Sequence, residues 1–123
     1  MSTNLPSNAA ANAFAEAWLR AWNSHQLDAI MSHYAEGATL VSPTAAALLG
    51  DPTGEVKGKA ALREYFRKGL EAYPQLRFEL LDLMLGVHSV VLCFVNQKGT
   101  KTAEFMELNA TGKITRVVAN YSA

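Results

Sequence analysis

Proton transfer needs a titratable group held away from water, and one acidic residue in this sequence is patterned for that. In the segment from Thr102 to Leu108, the residues Glu104, Met106 and Leu108 fall at every second position. A strand there sets all three on one face. Met106 and Leu108 belong inside, which carries Glu104 inside with them. A carboxyl desolvated in this way has a raised pKa and can exchange a proton near neutral pH. A slip of one residue would exchange Glu104 for Phe105 and Glu107. Further on, Asn120 and Tyr121 are adjacent in another strand-like run, so one of the two faces inward. An inward Tyr121 is a hydrogen-bond donor for a ligand carbonyl.

The remaining reactive side chains read as structural. His88 follows a turn glycine and a valine and reads as a solvated strand end, while His25 and His33 read as exposed helix positions. Cys93 sits in an apolar run with no positive group nearby to form a thiolate, so it reads as an inert core thiol. No His/Cys/Asp/Glu group has metal-ligand spacing, so neither a metal nor another cofactor is expected. The stretch Gly50-Asp51-Pro52-Thr53-Gly54 lacks the lysine and following Ser/Thr of a phosphate loop.

Helices and strands must position these groups. Met1 to Ser7 reads as a loose tail. Ser7 or Asn8 can cap a helix that carries Phe14, Trp18, Ala21 and Trp22 on one stripe and ends near Asn23. Ser24 can cap a second helix, with Leu27, Ile30, Met31 and Tyr34 on one face and Gly37 as its stop. Ala38 to Ser42 reads as a strand that Pro43 ends. Thr44 to Lys57 is irregular, a loop in which Ala45 to Leu49 forms one helical turn or a flap. A third helix, from about Lys59 to Ala72, has Leu62, Tyr65, Phe66, Leu70 and Tyr73 as its buried stripe, and Pro74 ends it. From Gln75 the period becomes two, with a phase slip at Leu80-Leu81 that marks a bulge. Ser89 to Val95 is apolar on both faces, as for a central covered strand. Turns at Gly86, Lys98-Gly99 and Thr111-Gly112 then separate four strands of a meander. The expected fold is α+β over residues 1–123, a single domain with a curved, largely antiparallel sheet wrapped around three helices and an apolar internal pocket.

Composition excludes several partners. Lys plus Arg and Asp plus Glu balance at 11 each, without a basic run, so no nucleic-acid surface is expected. No apolar stretch is long enough to span a membrane. The first ten residues do not form a secretory signal, and one cysteine cannot make an internal disulfide, so the expected location is cytoplasmic. Charged residues make up 18% of the chain, against about 25% in an average soluble protein. That shortfall suggests that a second subunit covers part of the surface.

The string Trp22-Asn23-Ser24-His25-Gln26-Leu27-Asp28, followed by Tyr34-Ala35-Glu36-Gly37-Ala38-Thr39, resembles the opening of nuclear transport factor 2-like proteins, and more narrowly of their SnoaL-like group. Gly58 to Phe66, Phe78 to Asp82 and Gly112 to Arg116 resemble that family's third helix, long strand and final hairpin. The resemblance implies a cystatin-like cone with a deep apolar cavity and a homodimer packed through the sheet. Ketosteroid isomerases of this group keep a carboxylate base at the position of Ser42 and an oxyanion tyrosine at that of Trp18. A serine hydroxyl is too weak a base for that chemistry, and the indole N–H is a weaker donor. Both departures argue against ketosteroid isomerase activity. Glu104 falls where those isomerases keep an acid, and the resemblance turns Val117, Ala119 and Tyr121 inward. It implies a pocket lined by Phe14, Trp18, Tyr34, Val41, Ser42, Phe66, Leu70, Phe78, Met106, Val117 and Tyr121.

Two functions fit these readings. One is an enzyme that binds a small apolar carbonyl compound, with isomerase, cyclase or dehydratase chemistry and Glu104 as acid or base. The other is a non-catalytic ligand-binding or dimeric scaffold protein.

Overall fold

The computed structural model describes residues 7–123; all of the expected tail except Ser7 lies outside them. Ten elements follow in order: α1 (Asn8–Ser24), α2 (Leu27–Met31), β1 (Tyr34–Val41), α3 (Pro43–Leu49), β2 (Glu55–Lys57), α4 (Lys59–Ala72), β3 (Glu79–Leu85), β4 (Ser89–Val95), β5 (Lys101–Leu108) and β6 (Ile114–Tyr121). The six strands form one open mixed sheet in the order β2-β1-β6-β5-β4-β3. All neighbours are antiparallel except β1 and β6, which run parallel.

The helices follow their local signals. Ser7 caps α1, its hydroxyl accepting from the Ala10 N–H at 3.0 Å. Ala11, Ala15, Trp18, Leu19 and Trp22 form the buried stripe. His25 closes the helix in the left-handed region, at φ 60°. The helices and the inner sheet face share one apolar core that includes Ile30, Leu62, Phe66, Leu92, Phe94, Met106 and Val117.

Several expectations need correction. Tyr34 opens β1 rather than ending α2, because the sheet claims it: Tyr34 pairs with Ile114, and the Ile114 N–H donates to the His33 carbonyl at 2.8 Å. Gly37 therefore lies within β1 and stops no helix. In the segment from Thr44 to Lys57 the expected helical turn at Ala45 to Leu49 is present as part of a longer fourth helix, α3, and the remainder holds an unexpected sixth strand, β2. Ser42 caps α3 through its hydroxyl, and Pro43 begins the helix where no N–H is needed. β2 is three residues long and draws its order from pairing with Thr39, Leu40 and Val41. Along β4 only Val90, Leu92 and Phe94 are buried, so one face is covered by helices and the other is half-exposed. Cys93 lies on that outer face opposite Ala103 and is not a core thiol.

The expected phase slip is present as a register shift between Leu80 and Asp82. Among the described residues no helix is long and apolar enough to cross a membrane.

Candidate active site

Between the inner sheet face, the end of α1 and α4 lies a cavity of about 270 Å³, near the lower end of the roughly 300–1,000 Å³ typical of ligand sites. Trp22, Leu40, Phe66, Phe78, Phe94 and Ala119 give it apolar walls. Ser42, Thr44, Tyr65, Thr102, Glu104 and Tyr121 supply polar groups. Its rim is Tyr73, Leu76 and the β4–β5 turn, Asn96 to Lys98 with Thr100, and the Lys98 ammonium lies 4.9 Å above the Tyr73 ring.

Local structure sets this geometry. The Asn23 side chain clamps the Phe78 backbone, accepting its N–H at 2.7 Å and donating to its carbonyl at 2.9 Å. One ring nitrogen of His25, Nε2, lies 2.8 Å from the Leu76 carbonyl. The end of α1 thus holds the segment before β3 against the cavity, and His25 is a half-buried brace rather than an exposed helix residue. His33 is half-buried as well, edge-on to Phe14, and burial pushes its pKa down, with Lys113 adding to the effect.

Thr102, Glu104 and Met106 share the inner face of β5, which places the Glu104 side chain in the cavity wall. Glu104 is half-buried, and no group among the described residues hydrogen-bonds its carboxyl. Desolvation pushes its pKa up to about 8. Tyr34, Tyr65 and Tyr121 are held above the usual phenol range first by burial, and the Glu104 charge adds to the shift in each. All three remain protonated donors at neutral pH.

Of the residues expected to line the pocket, Ser42, Phe66, Phe78 and Tyr121 do so together with Glu104. Trp18 and Tyr34 lie behind the wall: the Trp18 Nε1–H donates to Tyr34 Oη at 3.1 Å, and Trp18 stacks on Phe78. Met106 and Val117 are wholly buried in the core, and Phe14 and Leu70 pack at its edge. Val41 points the other way. Strand alternation turns Leu40 and Ser42 inward and leaves Val41 outside, so Val41 and Ser42 cannot both line the cavity. Tyr65, Thr102, Thr44 and Trp22 are lining residues that the sequence reading missed. Thr102 was open to the same alternation that marks Glu104.

Gly54 fixes the position of Ser42. The Ser42 N–H donates to the Gly54 carbonyl at 2.9 Å. Gly54 has φ +63°, and a Cβ there would come within 2.6 Å of the Ser42 carbonyl oxygen. Gly50 has φ +65° with open space around it. Gly54→Ala should therefore lose more stability in urea denaturation than Gly50→Ala, which bears only the left-handed penalty of about 1–2 kcal/mol. Equal losses would mean that the contact with Ser42 carries no weight.

A family model described as a SnoaL-like domain matches residues 15–119. The chain belongs to the SnoaL-like family. A SnoaL-like protein of unknown function from Burkholderia thailandensis is 34% identical, with a TM-score of 0.92 over 97% of this chain and 99% of that one. A protein of unknown function with a cystatin-like fold from Methylobium petroleophilum is 17% identical, with a TM-score of 0.76 over 97% of this chain and 80% of the other. An epoxide hydrolase/cyclase-like enzyme with a role in pyran ring formation in the polyether salinomycin is 22% identical, with a TM-score of 0.70 over 90% and 89% of the two chains. No curated protein matches the chain. This SnoaL-like protein thus has relatives that share its fold and do not assign its chemistry.

Proposed function

We propose that this SnoaL-like protein binds a small apolar carbonyl compound in the cavity and moves a proton next to the carbonyl, with Glu104 as the base. Such a step underlies isomerase, cyclase and dehydratase chemistry alike. The observation that carries the reading is a carboxyl in an otherwise largely apolar cavity, with no hydrogen-bonding partner among the described residues and a pKa raised toward neutrality by burial. The salinomycin cyclase-like enzyme supports it through the fold alone. The test is deuterium incorporation from D2O into 2-tetralone, followed by proton NMR. The rate should exceed buffer exchange and rise with pH to a plateau above about 8, because the base must be ionised. Tight binding of the ketone without added exchange would favour the non-catalytic reading.

The reading includes a homodimer. Met84, Val91, Phe105, Val118 and Val41 stand opposite one another in register across five strands, one apolar row on the outer sheet face. Met84 is 53% exposed, and Leu81 on the same strand is 52% exposed. A two-fold pairing of this face with its copy would cover both rows. Light scattering should give twice the chain mass, and Phe105→Glu should halve it while leaving ketone binding intact. A wild-type monomer at high micromolar concentration would sink the dimer. A cytoplasmic location belongs to the same reading and is supported by the free thiol of Cys93, suited to a reducing compartment.

A further inference from the structure

One wall of the cavity carries a chain of hydroxyls. The Thr44 Oγ1–H donates to Tyr121 Oη at 2.9 Å. Ser42 Oγ lies 3.3 Å from Tyr121 Oη and accepts the Thr44 backbone N–H at 3.1 Å. These three hydroxyls carry three protons and share two contacts, each of which consumes one proton. The Thr44 proton is committed to Tyr121. One proton, on Tyr121 or Ser42, therefore has no acceptor among the described residues. Tyr65 faces Ser42 from α4. Counting it as bonded adds one hydroxyl and one contact, so a proton is still left over.

A donor without an acceptor in a cavity wall is satisfied by water or by a ligand oxygen. We propose that Ser42, Thr44 and Tyr121 form a subsite for the carbonyl oxygen of a neutral ketone or ester, with Tyr121 donating and Thr44 and Ser42 positioning it. The inference rests on the reading that the cavity takes a carbonyl compound, and it names where the oxygen sits. Three features favour it. A phenol that accepts from neighbouring hydroxyls donates its own proton more strongly. Among the described residues the one cation of the cavity lining, Lys98, belongs to the rim and not to these three hydroxyls, so a neutral oxygen fits better than a carboxylate, which would also meet Glu104. Tyr121 pairs with Thr102, and Ala119 with Glu104. Tyr121 and Glu104 are thus diagonal neighbours on one face, with backbones roughly 7–8 Å apart. That span leaves room for a carbonyl at Tyr121 and its neighbouring carbon at Glu104.

The test uses 2-tetralone and its hydrocarbon counterpart tetralin as probes. Tyr121→Phe should weaken 2-tetralone binding about 3–10-fold while tetralin binding stays within about twofold. The infrared carbonyl stretch of the bound ketone should move to higher wavenumber in Tyr121→Phe. Thr44→Val should produce a smaller change of the same sign, and it keeps the test available if the tyrosine variant fails to fold. Equal losses for both probes, or an unmoved carbonyl stretch, would overturn the subsite. If neither probe binds the wild-type protein, the cavity reading falls with it. If the Tyr121 effects hold while Glu104→Gln leaves deuterium exchange intact, only the catalytic reading falls.

Discussion

Glu104→Gln is expected to slow deuterium incorporation into 2-tetralone by about 10²–10⁴-fold, the range of a positioned general base. The ketone should still bind, because the amide keeps the shape of the side chain. The same variant should be more stable than the wild type at alkaline pH. The Glu104 pKa is about 8 in the folded chain, against 4.5 for a solvated glutamate. Between those values the unfolded chain ionises this group and the folded chain does not, so folding stability falls as pH rises through that window. Each tenfold change in proton affinity corresponds to about 1.4 kcal/mol. The full difference by pH 8 is thus of order a few kcal/mol, reduced by any water in the cavity that solvates the carboxylate. Urea denaturation of both proteins at pH 5 and pH 8 reads it directly, since other titrating groups are common to both. A gap that does not widen with pH would show that Glu104 is not desolvated.

Trp18→Ala should remove about 3–5 kcal/mol of stability. Trp18 is 1% exposed, and its ring contacts Trp22, Phe78 and Phe94 at centroid distances of 5.5–6.0 Å. Its loss leaves a void behind the cavity wall and strips Tyr34 Oη of a donor. A drop of that size is a large share of the roughly 5–15 kcal/mol of a typical domain. Trp18→Phe keeps most of the packing and should lose far less. Its 2-tetralone affinity should stay within a few-fold of wild type, because Trp18 stands behind the wall rather than in it. A large selective loss of ketone binding in Trp18→Phe would restore it to the site.

Where local pattern and tertiary demand agree, the elements are legible in the residues. The Ala-rich stripe of α1, the stripe of α4, the slip at Leu80-Leu81 and the glycine turns at 99 and 112 each carry their own signal. Where long-range pairing decides, local reading fails. Tyr34 fits a helical stripe with Leu27 and Met31, yet its partner Ile114 is 80 residues away and pulls it into the sheet. β2 is too short to show a period. The cavity depends on a finer matter, strand phase. Alternation sets Glu104 with Met106, but Val41 and Ser42 are adjacent and only the register of β1 turns Ser42 inward. Tyr65 and Thr44 come to the site from other elements, and no spacing along the chain links them to Tyr121.

The central claim is that the Glu104 carboxyl sits desolvated in the cavity. A carbon-13 NMR titration of the glutamate carboxyls, with the Glu104 signal assigned by its absence in Glu104→Gln, tests that claim most directly. The account predicts a midpoint near 8 for this one signal. A midpoint near 4.5, the value for a solvated glutamate, would contradict it.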